Sequence, residues 1–177
     1  IDALALPLPR KGSRKLPQKY TDPALAVVGL RAIPGELTML RTGPHIPVSY
    51  TAKDARTVGH MFALRAARSG PLPAMFEKNH NRWEATSWTE FYQASASVAK
   101  GLLECGLKPG DRVAILGATR AGWSIYDMGC QLAGMVSLGI YPKQSPEQIR
   151  YLIDHSDARV LFVDSEEELE NVRILCY

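Results

Sequence analysis

Cysteine is scarce in this chain, and what little there is does not cluster. Cys105, Cys130 and Cys176 are the only three among 177 residues, with no C-x-x-C pair. That argues against a disulfide framework and suits a reducing compartment. Histidine is as thin: His45, His60, His80 and His155 show no metal-ligand spacing with one another or with the cysteines, so no metal ligands are expected. Long apolar runs are missing, since none reaches the roughly 18 residues of a membrane span. The opening "IDALALPLPRKGSRK" lacks a signal peptide's charge-then-apolar order and an initiator Met, and reads as a cut or processed end. A large net charge is lacking too: +3 is too small to argue for nucleic acid.

What is present is enough apolar residue, 46%, to build a core. It is unevenly arranged. Residues 1–52 carry Pro7, Pro9, Pro17, Pro23, Pro34, Pro44 and Pro47 together with Arg10, Lys11, Arg14, Lys15 and Lys19. Proline at that density opposes ladders and helices, so this stretch is expected to be irregular. Its basic cluster suggests peripheral contact with an anionic membrane, weak and salt-sensitive.

The pattern changes from residue 53 onward. Val58, Met61, Phe62, Leu64 and Arg65 suggest a helix ending near Ser69-Gly70, and "PAMFEKNHNRWEATSW" reads as a β-hairpin about Asn79–Asn81. Trp83 and Trp88, on and after that hairpin, are expected to pack in the core or at an edge. Ser87-x-x-Glu90 opens a helix with Phe91, Ala94, Val98, Leu102 and Cys105 on one face, and Gly106 stops it. Three β-α units follow. Strand Arg112–Leu116 leads to a helix with Ile125, Met128, Leu132 and Met135 on one face. Strand Val136–Ile140 leads to the box Ser145/Gln148 with Pro146 first in the helix. Strand Arg159–Val163 leads to the box Ser165/Glu168. The expected fold is α/β: a parallel β-α-β-α-β-α sheet portion preceded by a helix and a hairpin. Three parallel strands would leave an outer ladder unpaired, so the chain reads as a piece of something longer.

"GATRAGWS", Gly117 to Ser124, has the glycine spacing of a phosphate-cradling loop but carries Trp123 where the lysine belongs. Tryptophan cannot supply that point charge. Nor does Gly117-Ala118-Thr119 fit the dinucleotide turn. Asp164 stands alone at a strand end, short of a phosphoacceptor cluster. The spacing then reads as a strand-to-helix turn with Trp123 packed beneath it. No Ser/His/Asp set can be assembled, and no catalytic residue is assigned.

Taken together, "TSWTEFY", "GLKPGDRVAILG", Arg120-x-x-Trp123 and "LGIYPKQSPEQIRYLIDHSDARVLFVD", in that order, resemble the opening of the long-chain acyl-CoA synthetases. These belong to the adenylate-forming, AMP-binding superfamily. The resemblance spans roughly Thr57 to Asp164. "PGDRVAI" is shared across the superfamily, whereas "IYPxxSPEQI" is more specific to the long-chain branch. The family commonly has Asn before the Arg and an acidic residue before the Trp; this chain has Thr119 and Gly122, so the near-match to a phosphate loop is an accident of spacing.

The resemblance implies that residues 53–177 are an incomplete N-terminal subdomain, truncated before the family's phosphate loop. The parent enzyme would use ATP, Mg²⁺ and CoA to make acyl-CoA from fatty acid through an acyl-adenylate. The segment would bind no cofactor, would be inactive alone, and would partner the remainder of its chain. It implies a cytoplasmic protein, peripheral at most to a membrane. Arg120, Trp123 and Tyr141 would line a passage for the acyl chain or CoA. Two other readings stay open: a non-catalytic docking module that kept this subdomain, and an adenylating ligase with a non-fatty substrate.

Overall fold

A computed structural model describes residues 4–8, 55–166, 168–170 and 172. In chain order the elements are β1 (Leu4–Pro7), α1 (Val58–Ser69), β2 (Pro73–Asn79), β3 (Arg82–Ser87), α2 (Trp88–Glu104), β4 (Arg112–Leu116), α3 (Ala121–Leu132), β5 (Val136–Ile140), α4 (Pro146–Ser156) and β6 (Ala158–Val163).

Side chains at the helix starts explain where the chain coils. Thr57 accepts the His60 N–H ahead of α1. Ser87 and Glu90 close a reciprocal capping box at α2, and Ser145 and Gln148 do the same at α4. Each box satisfies two backbone donors that the first turn leaves open. Ser165 accepts the Glu168 N–H at 3.1 Å, and Leu169 and Val172 beyond it are buried. α3 starts at Arg120 without a side-chain cap. It ends at Leu132, so Met135 is not on its face as the periodicity suggests. A turn intervenes, and Met135 is buried on the way into β5. The hairpin β2-β3 turns on His80 and Asn81, both at positive φ, as a two-residue connection that follows the strands' twist requires.

The main sheet runs β1-β6-β4-β5. β6, β4 and β5 are parallel, with Leu116 beside Ile140 on one flank and Val163 on the other. β1 corrects two expectations. Leu4–Pro7 pairs antiparallel with Leu161 and its neighbours despite Pro7, and Leu8 N–H donates to Arg159 O at 2.9 Å. Proline is tolerated there because β1 lies at the edge of the described sheet. The outer ladder of β6 is therefore paired. The remaining proline-rich residues, 9–52, lie outside the described residues.

Strand alternation sorts the core into two layers. Val113, Ile115, Val160 and Phe162 face α1, α2 and α3, while Ala114, Leu116, Leu161 and Val163 face Ile149 and Ile153 of α4. Helices on both faces explain why residues 113–116 of β4 and 160–163 of β6 are apolar without a break.

The amino ends of these strands are tied by charge. Asp111 accepts the Lys108 N–H at 2.8 Å and lies 3.6 Å from the Arg159 guanidinium. Arg112 donates to Ser156 O at 2.9 Å and pairs with the Asp157 carboxylate. A guanidinium on the last carbonyls of α4 satisfies groups the helix cannot bond itself. "PGDR" is thus a staple between α4 and the sheet.

Candidate functional site

The chain changes direction across the sheet after β5. From β4 it moves to β5 on one flank, and α4 carries it back to β6 on the other. Where two connections diverge like this, no loop covers the strand ends and a crevice opens beyond their carboxyl ends. A cleft of about 890 Å³ lies there. Its walls are the β4-α3 turn, the first turn of α3, the end of β6 and the hairpin. Met75, Ile115, Tyr126 and Phe162 make its apolar lining.

Two carboxylates hold the turn from outside. The Ala118 N–H donates to Asp164 Oδ2 at 2.9 Å, and the Ala121 N–H donates to Glu77 Oε1 at 3.4 Å. A Cβ on residue 117 would stand 3.1 Å from the Asp164 carboxyl, so glycine there lets the carboxylate reach its donor. Carboxylates from β2 and from just past β6 thus satisfy two of the turn's backbone donors. Asp164 takes a backbone amide as its partner, and among the described residues no cluster of three acidic, His or Cys side chains forms around it.

Of the residues expected to line a passage, Arg120 and Trp123 lie on the cleft and Tyr141 does not. Arg120 is exposed at the entry to α3. Trp123 is half-buried against the core, its ring so close to Gly139 that a Cβ there would stand 3.0 Å from Cζ2. Tyr141 follows β5 and is 63% exposed. Trp88 packs with Phe62 and Phe91 as expected. Trp83, by contrast, is 65% exposed on the hairpin beside the cleft.

Asp164 could have been found from the sequence once the strand order was known. Leu116 and Val163 are register partners, so the residues after them, Gly117 and Asp164, meet side by side. Glu77 carries no such signal, because it reaches Ala121 from a separate sheet.

The cleft offers shape and polarity, with Glu77, Lys78, His80, Ser124 and Asp164 on its lining. Burial, then the Asp127 carboxylate, pushes the Cys130 thiol up to about 12, so it is no nucleophile near neutral pH. Among the described residues no three His, Cys, Asp or Glu side chains gather to hold a metal ion.

Comparison with known proteins agrees with this architecture. The family model described as "AMP-binding enzyme" matches residues 62–175. The chain is 33% identical over 134 residues to the human long-chain-fatty-acid–CoA ligase ACSBG2, covering 76% of this chain and 20% of that protein. It is 35% identical over 116 residues to the rat long-chain-fatty-acid–CoA ligase ACSBG1, covering 66% and 16%. Among solved structures it resembles the fatty acid AMP ligase from Legionella pneumophila, with a TM-score of 0.57 and 24% identity over 62% of this chain and 20% of that one. The chain thus spans about a fifth of the length of the curated relatives it matches. With the matched residues running through both sheets and the cleft between them, this chain belongs to the AMP-binding enzyme family.

Proposed function

We propose that this chain is part of a long-chain fatty acid–CoA ligase. The supporting observation is its 33% identity, over 76% of its own length, to a protein of that name. In the proposed reaction the fatty acid carboxylate attacks the α-phosphate of ATP, releasing pyrophosphate and forming acyl-adenylate. The thiol of CoA then attacks the acyl carbon and AMP leaves.

The described residues suit the scaffold of such an enzyme better than its chemical centre. Adenylation needs positioned phosphates and a cation beside the developing charge, each contributing several kcal/mol to the barrier. Among the described residues no three His, Cys, Asp or Glu side chains gather to hold a metal ion, and the turn with the glycine spacing of a phosphate loop has two of its amides taken by Asp164 and Glu77. Residues 53–177 serve, in this reading, as an N-terminal subdomain whose cleft walls the acyl or CoA passage. Arg120 stands at its entry, Trp123 in its wall and Tyr141 outside it. Peripheral membrane contact is assigned to residues 10–19, outside the described residues. Among the described residues no helix is long and apolar enough to cross a membrane.

Pyrophosphate exchange tests the assignment. A longer chain carrying this segment should return labelled pyrophosphate to ATP in a fatty-acid-dependent way, and the 177 residues alone should not. Exchange by the segment alone would place the nucleotide site within it. A longer chain that exchanges only with a non-fatty acid would remove the fatty substrate.

A further inference from the structure

The G-x-x-x-x-G turn at the floor of the cleft has the glycine spacing of a phosphate loop, and two of its amides are already taken by the protein itself. Asp164 Oδ2 takes the Ala118 N–H at 2.9 Å from the β6 side, and Glu77 Oε1 takes the Ala121 N–H at 3.4 Å from the hairpin side. In phosphate-binding turns such amides point at the ligand's oxygens. Here a phosphate at the floor would displace both carboxylates or lie beside them. Either is unfavourable, since like charges at contact distance repel and no lysine follows the second glycine. The cations on the cleft, Lys78 and Arg120, are both exposed, so their charges stand in solvent rather than at the floor. Beside Asn79, Thr119 and Ser124, the lining includes the apolar side chains of Met75, Ile115, Trp123, Tyr126 and Phe162.

We propose that Asp164 and Glu77 are built-in counter-anions that close the turn to phosphate, so that the cleft accepts an uncharged, largely apolar chain. The two carboxylates act as specificity-determining residues. They complete the helix entry in place of a cap and deny its amides to nucleotide. This rests on the geometry of the turn. Within the ligase reading it assigns the cleft to a neutral chain rather than to ATP or to the nucleotide end of CoA.

The test is an amide-resolved NMR titration of the full chain with two probes, inorganic pyrophosphate and 1-octanol. In the wild type, millimolar pyrophosphate should leave the Ala118 and Ala121 amides unmoved, while octanol shifts the Trp123 indole and the Met75 methyl. The pair Asp164→Asn with Glu77→Gln keeps side-chain shape and an acceptor oxygen but removes both charges. It should bind pyrophosphate at these amides at least about tenfold more tightly than the wild type. Asp164→Ser, which also frees the Ala118 amide, should do likewise, and the spectra report whether each variant is folded. Wild-type shifts at Ala118 with pyrophosphate would overturn the proposal. So would folded variants that bind pyrophosphate no better than the wild type, or an octanol titration that moves neither Trp123 nor Met75. Exchange activity of the longer enzyme is a separate readout: its absence would count against the ligase assignment and leave the turn's selectivity standing.

Discussion

The two ends of the parallel strands are built from the same kinds of residue and do opposite things. At the amino end, Asp111 and Arg112 pair with Arg159 and Asp157, and the staple leaves the strand ends closed. At the carboxyl end, Asp164 and Glu77 bond to backbone amides, and a cleft stays open above them. Charge paired with charge binds helix to sheet. Charge spent on amides shapes a turn and gives the space beyond it a sign. "PGDRV" therefore lies at the end that holds the fold together, and "GATRAGWS" lies at the end that opens on the cleft.

Substitutions at the two ends should fail differently. The largest effect is expected from Trp123→Lys, which restores the phosphate-loop spelling. The indole packs on Gly139 and the core, so its loss with a lysine in its place should cost on the order of 3 kcal/mol in urea denaturation. Calorimetric titration with Mg-ATP should still show no binding, and micromolar affinity would mean the cleft end had been misread. At the other end, Arg112→Ala removes the Asp157 pair and the bonds to α4's last carbonyls. Because the guanidinium is partly exposed, the expected loss is about 1–2 kcal/mol. Trp123 fluorescence should not change, and a shift would show that the two ends are coupled.

A smaller effect, about 1 kcal/mol, is expected from Gly117→Ala. The new methyl would stand 3.1 Å from the Asp164 carboxyl and lengthen its bond to Ala118. Faster hydrogen exchange at Ala118, with unchanged exchange at Lys108, would localise the damage to the cleft end. The smallest effect at neutral pH belongs to Cys130, buried in α3. Its thiol is raised from 9.0 to about 12, so the folded state holds that proton more tightly than the unfolded chain. Its contribution is fully present below pH 9 and is lost as pH rises from there toward 12. Iodoacetamide at pH 8 should modify Cys130 only after unfolding.

The elements themselves were legible because their signals are local. Capping boxes, the apolar runs of β4 and β6 and the turn at Asn79–Asn81 each lie within a few residues. Met135 misled because helical spacing carried across a turn that the spacing does not see. β1 was hidden because proline content was read over a whole segment, whereas an edge strand needs only four residues with one ladder side satisfied. In the cleft, Arg120 and Trp123 were marked by resemblance. Asp164 needed the strand order, and Glu77 needed the hairpin docked on α3, which is a tertiary fact with no local trace.

The pairing of β1 with β6 has a consequence for how the chain is made. Leu4 lies opposite Val163, so the first strand emerges from the ribosome well before its partner exists. At roughly 5–20 residues per second, the gap is on the order of ten to thirty seconds. Throughout it, the first strand has no ladder to join, and β6, once synthesised, offers an open edge until the two meet. Among the described strands, the β1–β6 ladder is the last that synthesis allows to form. A pause in translation before residue 163 would leave the β1–β6 ladder incomplete.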